Sequence, residues 1–370
     1  GIGFNISNQI FLFVIMHIPQ QKSAVIGCLL GTAIGDAFGL PLEGLSKNRQ
    51  HRLYPRLNRY HLIFGKGMIS DDTEHICMVS QSLIVSAGDT NKFTQAFAWR
   101  LRFWLLCLPV GIGSATLKAC IKLLLGFSPT KSGVLSAGNG PCMRSAIIGV
   151  CYGNDIFKLR SLVKASTRIT HKDIKAEWGA LAVAIAAYLA STETYVSPKK
   201  YYETVTQVLG VEAAEFCELI RMACDSVQAL ETAALFATQL KINFGISGYV
   251  YHTVPIVVQV WLRYQENYVD AIEEIVRLGG DTDTTAAILG GIIGSAVGKS
   301  GIPENWLDNL WEYPRTVKWI ESLGERLFEV SNSGKHQSAL PLSIPGLLLR
   351  NLLFSLIVIG HGFRRLLPPY

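Results

Sequence analysis

The chain has 370 residues, 49% apolar and only 17% charged, so it can bury a large core and is not a disordered segment. Its net charge is +6, but the basic residues are mostly scattered and show no aromatic-basic interleaving, which speaks against nucleic-acid binding. Eight cysteines contain no Cys-x-x-Cys pair, a pattern that fits buried free thiols in a reducing cytoplasm better than a disulfide framework.

Residues 1–22 read as an N-terminal extension. The apolar run at 10–15 lacks a basic residue before it and a small-residue cleavage site after it, so it makes a poor signal peptide. It is also too short to span a bilayer, and Met16 would serve as a natural start. From residue 23, Gly27, Gly31, Gly35 and Gly39 recur every fourth position and line one helix face, and Pro41 should end that helix. Asp36 and Glu43 fall at or just beyond its C-terminal end, where the helix dipole disfavours carboxylates. Such a misfit is expected where function overrides local preference; the alternative for Glu43 is a solvated loop position.

Residues 46–67 read as a loop in which His51 and His61 are exposed. Ser70, Asp71, Asp72 and Thr73 then open an apolar helix. Ser70 as N-cap accounts for one acid and one hydroxyl, not for two of each. One or two aromatic-rich helices follow over 91–127. Gly138, Asn139 and Gly140 form a turn before Pro141, either an ordinary turn-helix junction or a helix start whose free N–H groups suit a phosphate. Thr170 and His171 sit between two helices, the second spanning 173–190, where a histidine would ordinarily be exposed. Residues 198–241 are helical by period. Tyr249, Tyr251 and His252 then reach another helix start, where tyrosines can pack in the core or stack on a base.

A short amphipathic helix at 267–278 leads into Gly279, Gly280 and a second acid cluster, Asp281-Thr282-Asp283-Thr284-Thr285. The helix that follows has no charged side chain from 286 to 297 and carries Gly290, Gly294 and Gly298 at every fourth position. Three glycines on one face imply that another backbone comes very close, and the 27–39 ridge is the natural partner. The acids read either as an N-cap cluster or as a site for Mg²⁺, Mn²⁺ or Ca²⁺, which favour hard oxygen donors. Two acid-and-hydroxyl clusters, each opening a helix, can face each other and share a pair of divalent ions.

Residues 303–332 are helical, 333–339 form a polar linker, and 340–370 form a hydrophobic and basic tail. Residues 347–359 are apolar apart from Arg350, Asn351 and Ser355, a run short for a transmembrane helix. Arg364 and Arg365 would suit anionic headgroups. The tail reads as a helix docked on the domain, an interfacial membrane helix or a partner-binding segment. Every candidate ligand precedes residue 285, so the tail is expected to be dispensable for chemistry.

No stretch alternates as a strand does, so the fold class is all-α. The ordered motifs Gly-Asp-Ala-Phe-Gly-x-Pro-x-Glu (35–43), Ser-Asp-Asp-Thr (70–73), Gly-Asn-Gly-x-x-Met-Arg (138–144), Thr-His (170–171) and Gly-Gly-Asp-Thr-Asp-Thr (279–284) resemble the ADP-ribosylglycohydrolase family, of the dinitrogenase reductase-activating glycohydrolase type. The likeness covers roughly 23–325. It implies a compact orthogonal helical bundle as the catalytic domain, 23–332, with two Mg²⁺ or Mn²⁺ ions on Ser70, Asp71, Asp72, Asp281, Asp283 and Thr284. It also places Gly138, Asn139 and Gly140 in an ADP-ribose loop, His171 close to the ligand, and a mobile glutamate on Glu43.

The implied activity is hydrolysis of the ribosyl C1 bond of an ADP-ribosylated protein or small ADP-ribose conjugate by a cytoplasmic monomer. Asp72 or Asp283 would take a proton from water, while Glu43 would donate to the leaving group or gate the cleft. Tyr249 is a further candidate for the ligand. Rival readings are a catalytically silent structural or ADP-ribose-binding relative and a two-metal phosphoesterase.

Overall fold

The two glycine ridges meet. In the computed structural model, which describes the backbone of residues 6–368 and the side chains of residues 21–368, the helices Ile6–Gly39 and Thr282–Val297 run antiparallel with their backbones in contact. A β-carbon added to Gly27 would lie 2.1 Å from the Gly294 carbonyl oxygen, one on Gly31 2.1 Å from that of Gly290, and one on Gly39 2.2 Å from that of Thr282. The antiparallel register sets the C-terminal end of the first helix beside the N-terminal end of the second. That is how a packing motif brings Asp36 and Glu43 next to residues 281–284.

The helices Asp71–Ser86, Ala146–Tyr152, Ile174–Thr192, Val250–Arg263, Tyr268–Arg277 and Val317–Ser333 pack around this pair. Among the described residues there is no strand, only isolated bridges between loops, so the all-α expectation holds. The eight cysteines are all free and buried, as composition indicated. One reading needs correcting. Residues 46–67 contain a helix, Lys47–Leu53, capped by Ser46 accepting from the Arg49 N–H at 3.3 Å. Its polar surface gives no apolar period to reveal it.

The backbone of the Ile6–Gly39 helix crosses residue 22 without a break. The side chains of the apolar run at 10–15 and of Met16 lie outside the described residues.

After the Val317–Ser333 helix the chain runs back over the body. Leu340 exchanges two hydrogen bonds of 2.9 Å with the Gln81 amide, and Trp319 donates to the Pro341 carbonyl at 3.0 Å. The tail helix spans Ile344–Arg364, 21 residues, longer than the apolar run suggested. Two of its polar residues, Arg350 and Asn351, point inward. Arg350 is paired with Glu312 and donates to the Ile69 carbonyl at 2.6 Å, and Asn351 donates to the Cys107 carbonyl at 2.7 Å.

Candidate active site

At the end of the glycine-ridge pair opens a cleft of about 690 Å³, whose walls include Glu43, Asp71, Gly138, Asn139, Gly140, His171, Asp281, Asp283 and Thr284. Ser70 and Asp72 lie beneath it, 4% and 1% exposed. Asp72 joins the two acid clusters. Its Oδ2 accepts from Ser70 Oγ at 3.0 Å and from Thr284 Oγ1 at 3.2 Å, across some two hundred residues of chain. Its other oxygen, Oδ1, is buried with no hydrogen-bond partner.

Asp36 shapes the turn that carries Asp71 and Asp72. Its carboxylate accepts from the N–H groups of Ser70 and Thr73 and from the Thr73 hydroxyl at 2.5 to 3.1 Å. Burial pushes it up to about 6, opposed by those hydrogen bonds. The misplaced carboxylate at the helix end was the sequence signal for this role, although the motifs did not place Asp36 among the site residues.

Glu43, Asp281 and Asp283 each bring a carboxylate oxygen within 4.8 Å of the others. Glu43 thus sits with the second acid cluster, closer than its sequence position indicated. Burial first, then neighbouring carboxylates, raises Asp71, Asp72 and Asp283 well above the usual range. Glu43 is raised by burial and by Asp281, and lowered by Arg365. Among the described residues no cation forms an ion pair with Asp71, Asp72, Asp281 or Asp283. Clustered hard oxygens, an orphaned buried carboxylate oxygen and the lack of an ion-paired cation on the four aspartates form a donor set that fits divalent cations such as Mg²⁺ or Mn²⁺.

The 138–140 turn is held from both sides. Asn139 donates from its backbone to the Gly248 carbonyl at 2.8 Å and from its amide to Thr253 at 3.0 Å and to Asp281 Oδ2 at 2.6 Å. The segment after Pro141 is a three-residue turn, Cys142–Arg144, before the Ala146–Tyr152 helix. The N–H groups of Cys142 and Met143 bond back to the Asn139 carbonyl. Of the two readings of this stretch, the ordinary turn-helix junction accounts for the Cys142 and Met143 donors, which the turn uses itself.

His171 is 3% exposed rather than an open loop residue. A β-carbon on Gly138 or Gly140 would meet its ring at 3.1 Å, so these glycines make room for the imidazole. Arg144, fully buried, donates to Thr170 Oγ1 at 2.7 Å, and Thr170 Oγ1 lies 2.8 Å from His171 Nδ1. The guanidinium can only donate, so the hydroxyl oxygen accepts there, and its contact with Nδ1 holds the imidazole against Gly138 and Gly140. Burial, and next the Arg144 charge, lowers His171 to about 3.

Two aromatics exchange places relative to expectation. Tyr249 is not among the cleft-lining residues: its ring packs 5.3 Å from those of Tyr251 and His252, while its backbone bridges to Gly138. Phe244, 99% exposed, lines the cleft instead. A single phenylalanine in a loop carries no sequence signal of this kind.

The sequence profile of the ADP-ribosylglycohydrolase family matches residues 18–337. The chain belongs to this family. It is similar to an uncharacterized protein of Archaeoglobus fulgidus, 30% identical over 312 residues that cover 82% of this chain and 95% of the relative. It is also similar to the ADP-ribosylhydrolase ARH3 of Gallus gallus, at 26% identity over 81% of this chain and 92% of that one. A third relative is the ADP-ribosyl-[dinitrogen reductase] glycohydrolase of Rhodospirillum rubrum, at 23% identity over 79% and 92%. A solved structure, titled ADP-ribosylglycohydrolase-related protein complex, shares the fold with a TM-score of 0.65 and 24% identity, over 85% of this chain and 99% of that one.

The segment beyond 337, outside the ADP-ribosylglycohydrolase match, nevertheless touches the site. The Arg350 partner Glu312 also accepts from the Ile69 N–H at 2.8 Å, directly before Ser70. Arg365 donates to the Glu43 carbonyl at 2.7 Å and the Pro41 carbonyl at 3.0 Å. The tail therefore braces two of the three loops that present acids to the cleft, those of Glu43 and Asp71, which the expectation of a dispensable tail did not foresee.

Proposed function

We propose that this chain hydrolyses the ribosyl C1 bond of an ADP-ribosylated protein or small ADP-ribose conjugate in a metal-dependent reaction that releases ADP-ribose. One observation carries the reading. Two acid clusters from distant parts of the chain join through Asp72 and Thr284, and Asn139 ties the second cluster to the glycine turn opposite. A charged, hydroxyl-rich pole and a neutral glycine-lined pole in one cleft suit a substrate with a ribose at one end and a pyrophosphate further along. The activities for which the chicken and Rhodospirillum relatives are named support the same substrate class.

Ser70, Asp71, Asp72, Asp281, Asp283 and Thr284 would hold the two divalent ions, with Glu43 within reach. When bound, such ions orient ribose hydroxyls and lower the pKa of a water molecule. Asp283 lines the cleft whereas Asp72 lies beneath it, so we assign Asp283 to accept the proton of the attacking water. Glu43, raised by burial and by Asp281, suits donation of a proton to the leaving group as the C1 bond breaks. His171 presents its neutral ring to the ligand beside the glycine turn, and Phe244 offers a face on which a base can stack.

The test is a panel of arginine-, serine- and acetyl-linked ADP-ribose, with simple phosphate esters alongside, incubated with Mg²⁺, with Mn²⁺ and with EDTA. Free ADP-ribose should appear with metal and not with EDTA. Asp281→Asn should be slower by about a hundredfold or more, the cost of misplacing reacting groups. Cleavage of phosphate esters alone would instead make the chain a phosphoesterase. ADP-ribose binding without any turnover would make it a binding protein.

A further inference from the structure

The tail helix buries one face and leaves the other bare. Leu349, Leu352, Leu356, Ile359 and Phe363, spaced three and four apart, form one stripe and are between 55% and 70% exposed. No acidic residue occurs from 330 to 370. At the start of the helix, the ring of Tyr313 packs against Gly346. Tyr313 and nearby Trp311 are 57% and 51% exposed, the residue types favoured at a membrane-water boundary.

The other end of the helix is basic. Arg365 and His361 bond to the 41–43 loop, and Arg49 donates to the Arg365 carbonyl. These contacts set Arg364 beside residues 44–70, a stretch with six Lys and Arg and no Asp or Glu. Arg56, Arg59 and Arg364 are exposed, and none has an ion-pair partner among the described residues.

We propose that this face docks on an anionic lipid surface, with the tail helix lying in the plane of the interface. The helix is long and apolar enough to cross a membrane by composition. As docked, however, it is anchored by Arg350 to Glu312 and by Asn351 to Cys107, and crossing would strand those groups. A flat orientation keeps them paired and buries only the apolar stripe. The surrounding positive charge selects an anionic surface over a second copy of the chain, whose matching face would carry the same sign. This inference does not depend on the hydrolase reading.

The full chain should co-sediment with vesicles of phosphatidylcholine mixed with phosphatidylglycerol, less with pure phosphatidylcholine, and less again as salt is raised. Leu349→Glu with Leu356→Glu should abolish binding. Arg56→Ala, Arg59→Ala and Arg364→Ala together should weaken it roughly a hundredfold. All these positions are exposed, so melting temperatures should stay unchanged. No binding to anionic vesicles, equal binding to neutral ones, or variants that bind like wild type would overturn the proposal. So would a concentration-dependent dimer in sedimentation velocity, lost in the double glutamate variant, without vesicle binding. The salt series on the wild type keeps the test decisive should a variant fold poorly.

Discussion

The segments Gln21–Leu42 and Ile344–Arg364 have similar mean hydropathy in their most apolar windows, 1.7 and 1.6, yet 89% of the first window is buried and 22% of the second. Both are long and apolar enough to span a bilayer. What separates them is the size of the residues on the contact face. The first presents glycine to a second glycine ridge, and nothing but backbone fits between. The second turns Arg350, Asn351 and Phe354 inward and leaves leucines outside. Hydropathy reports how much apolar surface a helix has; side-chain size and the placement of its few polar groups decide where that surface goes.

Substitutions along the two helices should therefore differ sharply. The largest effect is expected at the ridge: Gly31→Leu or Gly294→Leu puts a side chain into a backbone contact and should cost more than about 3 kcal/mol, beyond ordinary overpacking. Unchanged urea midpoints would dissolve the contrast. On the tail, Arg350→Ala leaves Glu312 buried and uncompensated and should cost about 3 kcal/mol, much of it recovered when Glu312 is also replaced by an apolar residue. Equal losses in the single and double variants would mean that packing, not charge, holds the helix down.

Metal should act through the ridge pair rather than through the tail, because the acids cluster where that pair ends. At a hundredfold excess over its Kd, Mg²⁺ or Mn²⁺ should stabilise the fold by about 2.7 kcal/mol, read as a rise in Tm. Asp36 is raised to about 6, and Asp71, Asp72 and Asp283 are raised too, each chiefly by burial. A carboxyl raised in the fold stabilises the metal-free chain below its unfolded value, about 4, and loses that contribution as pH climbs through its folded value. The metal-induced rise in Tm should thus be larger near pH 7.5 than near pH 5.5, when measured as the difference between metal and EDTA at each pH. A difference that grows on acidification would rule out carboxylate ligands. The smallest effect belongs to the outer tail face: Leu356→Ala should stay within about 0.5 kcal/mol of wild type.

The glycine spacing made the close helix pair legible before any coordinates, since few other causes put glycine at every fourth position of an apolar helix. The acid clusters were legible for the same reason: each exceeds what a helix cap requires. Asp36 was visible only as a misfit, because its partners Ser70 and Thr73 lie far along the chain. Phe244 and the Lys47–Leu53 helix left no periodic trace. The inward turn of Arg350 depends on Glu312, a residue that pattern alone does not connect to it. Tyr249 was named for its place beside the glycine turn, where an aromatic looks the same whether its ring faces the cleft or packs on Tyr251.

Arg144 fixes one end of the hydrogen-bond chain that reaches His171. Its guanidinium donates to the Thr170 hydroxyl, and that hydroxyl meets the imidazole at Nδ1, so the ring is pinned at the edge of the cleft. Held near 3, this ring does not become a cation in the physiological range. The same arginine that anchors the chain also repels a proton from its far end. Whatever occupies that corner of the cleft meets an uncharged imidazole at pH 5 and at pH 8 alike.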